Sequence, residues 1–138
     1  MNSKFLVRGI AGGVTFFLLG WVVWGMLLLD FMTAHTSPTA ASIFRAEADF
    51  IYWAMLLGNL GLGFLLTYVL DKGGETDVKA CATTGAIVGS LVSVGCNFIL
   101  FAQMDLSDTT AIVVDIAATS AVSAVAAAVI GLVGGKKK

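Results

Sequence analysis

Residues 110–133 read TAIVVDIAATSAVSAVAAAVIGLV, a run of apolar and small residues with one charge, Asp115, inside it. At about 1.5 Å rise per residue, a helix over this stretch crosses a hydrocarbon core of about 30 Å. Working back along the chain, residues 80–104, 50–70 and 9–32 read the same way. The 138 residues are 58% apolar and only 12% charged, whereas about a quarter of an ordinary soluble domain is charged. The expected fold is therefore all-α: one integral membrane domain over residues 1–138, built as a four-helix bundle. Only short connections and tails remain outside, so any function is confined to the bundle or its rim.

The net charge of −1 conceals a lopsided distribution of basic residues. Lys4 and Arg8 precede the first stretch, Lys72 and Lys79 lie between the second and third, and Lys136, Lys137 and Lys138 end the chain. Arg45 alone falls on the opposite side. Basic residues are retained in the cytoplasm, which predicts a multi-pass protein of the cell membrane, of bacterial inner-membrane type, with both termini cytoplasmic. The terminal lysines read as a topology anchor. Asp30, Glu47, Asp49, Asp105 and Asp108 make the outer face acidic. The first stretch is far longer than the apolar region of a secretory signal, about 7–15 residues.

Between the first two stretches, Thr36-Ser37-Pro38-Thr39 is a turn signal. Ala40–Phe50 reads as a short helix at the outer interface, with Thr39 or Ser42 as its N-cap. On such a helix Arg45 and Asp49 stand at i, i+4 and pair. Asp30, Arg45, Glu47 and Asp49 form the outer rim; His35 reads as a loop residue, with Asp30 its nearest carboxylate in the sequence. Tyr52 and Trp53 fit an aromatic belt at the outer mouth of the second span.

Lipid is as apolar as leucine, so membrane helices gain by close contact and interhelical hydrogen bonds rather than by hydrophobic burial. Glycine permits that closeness, and Gly9, Gly13 and Gly20 share one face of the first span. Gly58, Gly61 and Gly63 crowd the second, and Gly85 and Gly89 form a G-x-x-x-G pattern in the third. Gly13, Gly20, Gly58, Gly61, Gly85 and Gly89 are the packing candidates. In the fourth span Ala117, Ala121, Ala124 and Ala128 fall nearly in one row. The short connection between the third and fourth spans implies a close antiparallel hairpin.

Asp115 lies about a turn and a half inside the fourth span. A carboxylate in hydrocarbon costs about 2.5–3.5 kcal/mol even on the lenient insertion scale, so Asp115 is expected to face the interior and find a partner. Hairpin geometry puts Asn97 at nearly the same depth, and Asn59 of the second span is somewhat deeper. Asn59, Asn97 and Asp115 are thus expected to cluster. Two readings stay open: a hydrogen-bonded clasp that fixes helix register, or a cation or proton site on a permeation path.

The sequence offers no G-x-S-x-G, H-E-x-x-H or Walker loop, so no enzymatic activity is expected. A solitary histidine excludes haem held by two histidines. Cys81 and Cys96 lie about 22 Å apart along one helix at about 1.5 Å per residue, too far to bridge. No metal, cofactor or nucleic-acid partner is expected. The partners are the lipid bilayer and a second copy of the chain or a larger membrane complex.

Gly20-Trp21-Val22-Val23-Trp24-Gly25 in the first span, and Val129-Ile130-Gly131-Leu132-Val133-Gly134 closing the fourth, resemble small four-helix bacterial inner-membrane proteins grouped as a domain of unknown function. The resemblance implies the four-span plan and no activity. Small multidrug exporters have a similar size and helix number but carry a glutamate in their first span, and residues 9–32 contain none. The expected role is a structural or accessory membrane subunit packing through its glycine and alanine faces. The alternative is a small transporter or channel for a cation or proton, using the Asn/Asp cluster.

Overall fold

The computed structural model describes residues 2–135. Four helices are long and apolar enough to cross a membrane: Ser3–Leu27, Tyr52–Gly73, Val78–Gln103 and Thr109–Gly134. In chain order they comprise α1 (Ser3–Val22) with a π-helical turn (Val23–Leu27), then α4 (Tyr52–Gly73), α5 (Val78–Gln103) and α6 (Thr109–Gly134). Two short helices, α2 (Leu29–Ala34) and α3 (Pro38–Ile43), lie between α1 and α4. The lysine anchor at 136–138 lies outside the described residues.

Local chemistry sets the ends. The Asn2 side chain caps α1 by accepting from the Lys4 N–H at 3.2 Å. This starts the helix at Ser3, six residues before the apolar stretch begins. Asp77 accepts from the N–H groups of Lys79 and Ala80 at the start of α5, each at 3.1 Å, and Asp108 accepts from Ala111 at 2.9 Å at the start of α6. Helix α4 stops in a Schellman closure, with Glu75 N–H donating to Leu70 O at 3.1 Å and Gly74 N–H to Asp71 O at 3.3 Å. Gly74 takes the left-handed φ of 66° that this closure requires.

The segment between α1 and α4 differs from its sequence reading. Ser37, rather than Thr39 or Ser42, caps the short helix, accepting from Ala40 N–H at 3.0 Å, and Pro38 takes the first turn. The helix ends at Ile43, and Glu47–Asp49 form a separate 3-10 turn. Arg45 and Asp49 therefore do not share a helix, and they form no ion pair among the described residues.

Helix α1 is central. It packs along α4 on one side and α6 on the other, and α5 packs along α6. Helices α4 and α5 touch little. The buried core joins Phe16, Leu66, Leu70, Cys81, Val122, Ala126, Ala127 and Ile130. It sits toward the end that holds residues 2 and 135, called here the terminus end. There Arg8 forms an ion pair with Asp71 of α4 and donates through Nε to Ile130 O of α6 at 3.3 Å, tying three helices together.

At the opposite, loop end, two connections are stitched to each other. Thr36 and Ser107 form an isolated antiparallel bridge, Ser37 N–H donates to Leu106 O at 3.0 Å, and Asp108 N–H donates to His35 O at 3.2 Å. The Ser37 hydroxyl also donates to Asp105 O at 2.6 Å.

Candidate functional site

The α5–α6 interface is a ladder of small residues at four-residue steps, which keeps one row on one face of each helix. On α5 the row is Cys81, Gly85, Gly89, Ser93 and Asn97; on α6 it is Gly131, Ala127, Ser123, Thr119 and Asp115. A Cβ placed on Gly85 would lie 2.3 Å from Ala127 Cβ and 2.5 Å from Ser123 O, and one on Gly89 would lie 2.4 Å from Ser123 Cβ. Gly131 meets Cys81 in the same way, at 2.9 Å from its Sγ. Ala117 and Ala121 of the expected alanine row are instead exposed. The row that faces α5 is the one bearing Asp115, because burying that carboxyl group orients the helix more strongly than the choice among many small residues.

The ladder ends in the polar cluster. Asn97 Nδ2 donates to Asp115 Oδ2 at 2.7 Å, the Ser93 hydroxyl donates to the same oxygen at 3.1 Å, and Trp24 Nε1 donates to Asp115 Oδ1 at 2.9 Å. Asn97 also donates to Ser93 O and Oγ, both at 3.0 Å. Three donors from two other helical segments thus converge on one carboxyl group. Ser93 is buried, and Asp115, Asn97 and Trp24 are half-buried.

Asn59 does not join this cluster. Its amide donates to Met55 O of its own helix at 2.7 Å, and α4 is separated from Asp115 by the α1 segment that supplies Trp24. Trp24 and Ser93 are the members that sequence reasoning left out. Ser93 stands one turn before Asn97 on the same face, a signal that was available; nothing local marks Trp24 as a donor to a residue of another helix.

The glycines divide into two sets. Gly13 approaches α4, where an added Cβ would lie 2.7 Å from Leu60 Cα, and Gly63 faces the α1 backbone with Gly13 N at 2.2 Å and Gly9 O at 2.4 Å from an added Cβ. Gly12 meets Ile130 of α6 at 2.6 Å. Gly20, Gly58 and Gly61 have open space where a Cβ would stand.

That open space belongs partly to a cleft of about 560 Å³ between α1 and α4 at the loop end. Phe17, Trp21, Trp24, Phe50, Tyr52 and Met55 supply most of its wall, with Gly20 and Gly25 thinning the α1 side, Asn59 at depth, and Glu47 its charged group. The α1 wall runs through the π-helical turn, where Leu28 N–H reaches back to Val23 O at 2.8 Å. Such turns recur at functional sites. Trp21 covers Gly25, whose added Cβ would lie 2.9 Å from the indole. Trp24 has two roles: its Nε1–H donates to Asp115, and the residue is part of the cleft lining.

Of the rim residues, Asp30 lies in the first turn of α2, and Asp30, Arg45, Glu47 and Asp49 are all exposed. His35 stacks on Phe31 with centroids 4.2 Å apart, and its Nε2 lies 4.0 Å from Asp108 Oδ2. Its carboxylate neighbour therefore comes from the other connection rather than from Asp30. No group of three or more His, Cys, Asp or Glu able to hold a metal occurs among the described residues.

Fold and site together define an all-helical protein with four potential membrane spans, compatible with a multi-pass bundle. No protein-family model matches the sequence, and comparison with curated proteins and with solved structures finds no match.

Proposed function

We propose that this chain is a non-enzymatic structural or accessory membrane protein, with both termini in the cytoplasm and Asp115 acting as a clasp that fixes the register of α1, α5 and α6. The observation that carries the reading is the engagement of Asp115: both carboxyl oxygens receive donors from the bundle itself, one on Oδ1 and two on Oδ2. A group so engaged is a poor relay, and among the described residues no second carboxylate shares its cluster. Gly58 and Gly61 supply the face on which a second copy or a larger membrane complex packs, since small residues there let another backbone approach. Kinship with the small four-helix inner-membrane proteins is part of this proposal and rests on residues 20–25 and 129–134.

Reconstitution in liposomes tests it. Wild type and Asp115→Asn are expected to give equal, negligible cation and proton flux, while the variant melts at a lower temperature. A flux present in wild type and abolished in Asp115→Asn would replace the clasp with the transporter reading, whose support is the cleft that reaches Trp24 beside Asp115.

A further inference from the structure

We infer that the cleft between α1 and α4 is a binding site for a monovalent organic cation with an apolar, aromatic-compatible body. The inference is independent of the accessory role, because it concerns occupancy of the cleft and not movement through the protein.

The volume of about 560 Å³ falls within the range of about 300–1,000 Å³ typical of small-molecule sites. Its lining is of the same kind: mostly apolar and aromatic, with few polar groups. Asn59 provides an amide, although its NH2 is already engaged by Met55 O, and Glu47 provides the only charge among the described residues of the lining. Tyr52 and Asn59 are separated by about 10 Å of helix at about 1.5 Å per residue, which gives the cleft enough depth to take the body of such a ligand out of water.

The sign of the ligand's charge follows from three observations. Trp21, Trp24, Phe50 and Tyr52 line one space, and the faces of such rings attract cations. The Glu47 carboxylate lies in the same lining and has no ion-pair partner among the described residues. Asp30, Asp49, Asp105 and Asp108 stand in the segments at this end with Arg45 as the opposing charge, a field that concentrates cations and repels anions. A neutral lipid tail would satisfy the apolar wall but leave Glu47 unused, and an anion would be opposed by it.

The wall is also held in place. Trp24 is fixed through its N–H to Asp115, and Trp21 lies over Gly25 in the π-helical turn. Binding therefore meets a surface already shaped, which reduces the ordering cost.

Tetraphenylphosphonium and tetraphenylborate, alike in size and shape and opposite in charge, make the test. Each is titrated by calorimetry into the full chain in nanodiscs, with empty nanodiscs subtracted. The expected result is saturable binding of the phosphonium, one per chain, with no saturable binding of the borate. Glu47→Gln, at an exposed position, weakens phosphonium binding about threefold, the order expected for through-space attraction between an exposed carboxylate and an ion with no hydrogen-bond donor. Asp108→Asn, an acidic residue of the same end outside the cleft, costs less than Glu47→Gln, because it removes one distant charge of the field rather than the carboxylate in the lining. Trp21→Phe retains binding and Trp21→Ala lowers it. Equal binding of both ions, no saturable binding, or equal losses in Glu47→Gln and Asp108→Asn would overturn the proposal. None of these outcomes bears on the liposome flux assay, so the two readings fail separately.

Discussion

The α5–α6 hairpin and the α1–α4 pair use the same residue, glycine, to different ends. Along α5 and α6 every turn from Cys81 to Asn97 meets a small or polar partner, and the helices stay close to the full depth of Asp115. Along α1 and α4, Gly9, Gly12 and Gly13 oppose Leu60, Gly63 and Phe64. Further along, α1 presents Phe17, Trp21 and Trp24, which line the cleft with residues of α4 and of the connection before it. A glycine permits close approach, but the residues opposite and adjacent decide whether it happens. Gly20 lies amid bulky aromatics and has nothing near it; Gly89 lies opposite Ser123 and is filled.

The sharpest way to break this contrast is to add a methyl group on each side of it. At Gly63 and Gly85 an added Cβ would fall within 2.5 Å of backbone atoms of the neighbouring helix, where no side chain can rotate away. Gly63→Ala and Gly85→Ala are each expected to destabilise by about 1–3 kcal/mol, the usual cost of overpacking, and larger residues there to prevent assembly. Thermal melting in detergent, or unfolding under controlled denaturant, measures the loss. Stability equal to wild type in both variants would mean that the helices are not held at this separation.

A smaller effect is expected at the polar end of the hairpin. Interhelical hydrogen bonds in membranes average about 0.6 kcal/mol, with a maximum near 1.7, and Asp115 receives three. Asp115→Ala is expected to cost about 1–2 kcal/mol and Asn97→Ala somewhat less. Because the two groups touch, the double variant should lose less than the sum of the singles. Additive losses would show that Asn97 and Asp115 do not interact. Trp24→Phe separates the regions further: it removes one donor from Asp115 while preserving an aromatic ring in the cleft.

Much of this arrangement is legible in the sequence, for reasons that can be traced to particular residues. Span positions follow from length and hydropathy, and the meeting of Asn97 with Asp115 follows from a short connection that fixes the depth of two adjacent helices. Asn59 does not reach them, because its depth was readable but the identity of the intervening neighbour was not; α1 supplies Trp24 at that place. The alanine row 117–128 illustrates a second limit. In a helix where most positions are small, period alone does not choose a face, and the burial of one carboxyl group does. The cleft escaped altogether, since its wall is assembled from α1, α4 and the connection between them and no single segment encodes that. Arg8 was readable as a topology signal, but its pairing with Asp71 joins residues far apart in the chain.

The smallest expected effect lies at Gly58 and Gly61, where a Cβ meets nothing within 4 Å. Gly58→Ala and Gly61→Ala should leave the stability of the isolated chain unchanged or raise it by up to about 1 kcal/mol, since alanine is the better helix former. Larger side chains at the same positions turn this into a test of association. Gly61→Leu starts from an exposed position with nothing within 4 Å of its Cβ, and would stand between this helix and any partner packed on that face. If the chain joins a second copy or a larger complex through α4, native mass spectrometry from lipid should show the assembly lost in Gly61→Leu while the melting temperature of the dissociated chain is kept. An assembly that survives the substitution would remove α4 from the interface, leaving its open glycines as a feature of the lipid-facing surface alone.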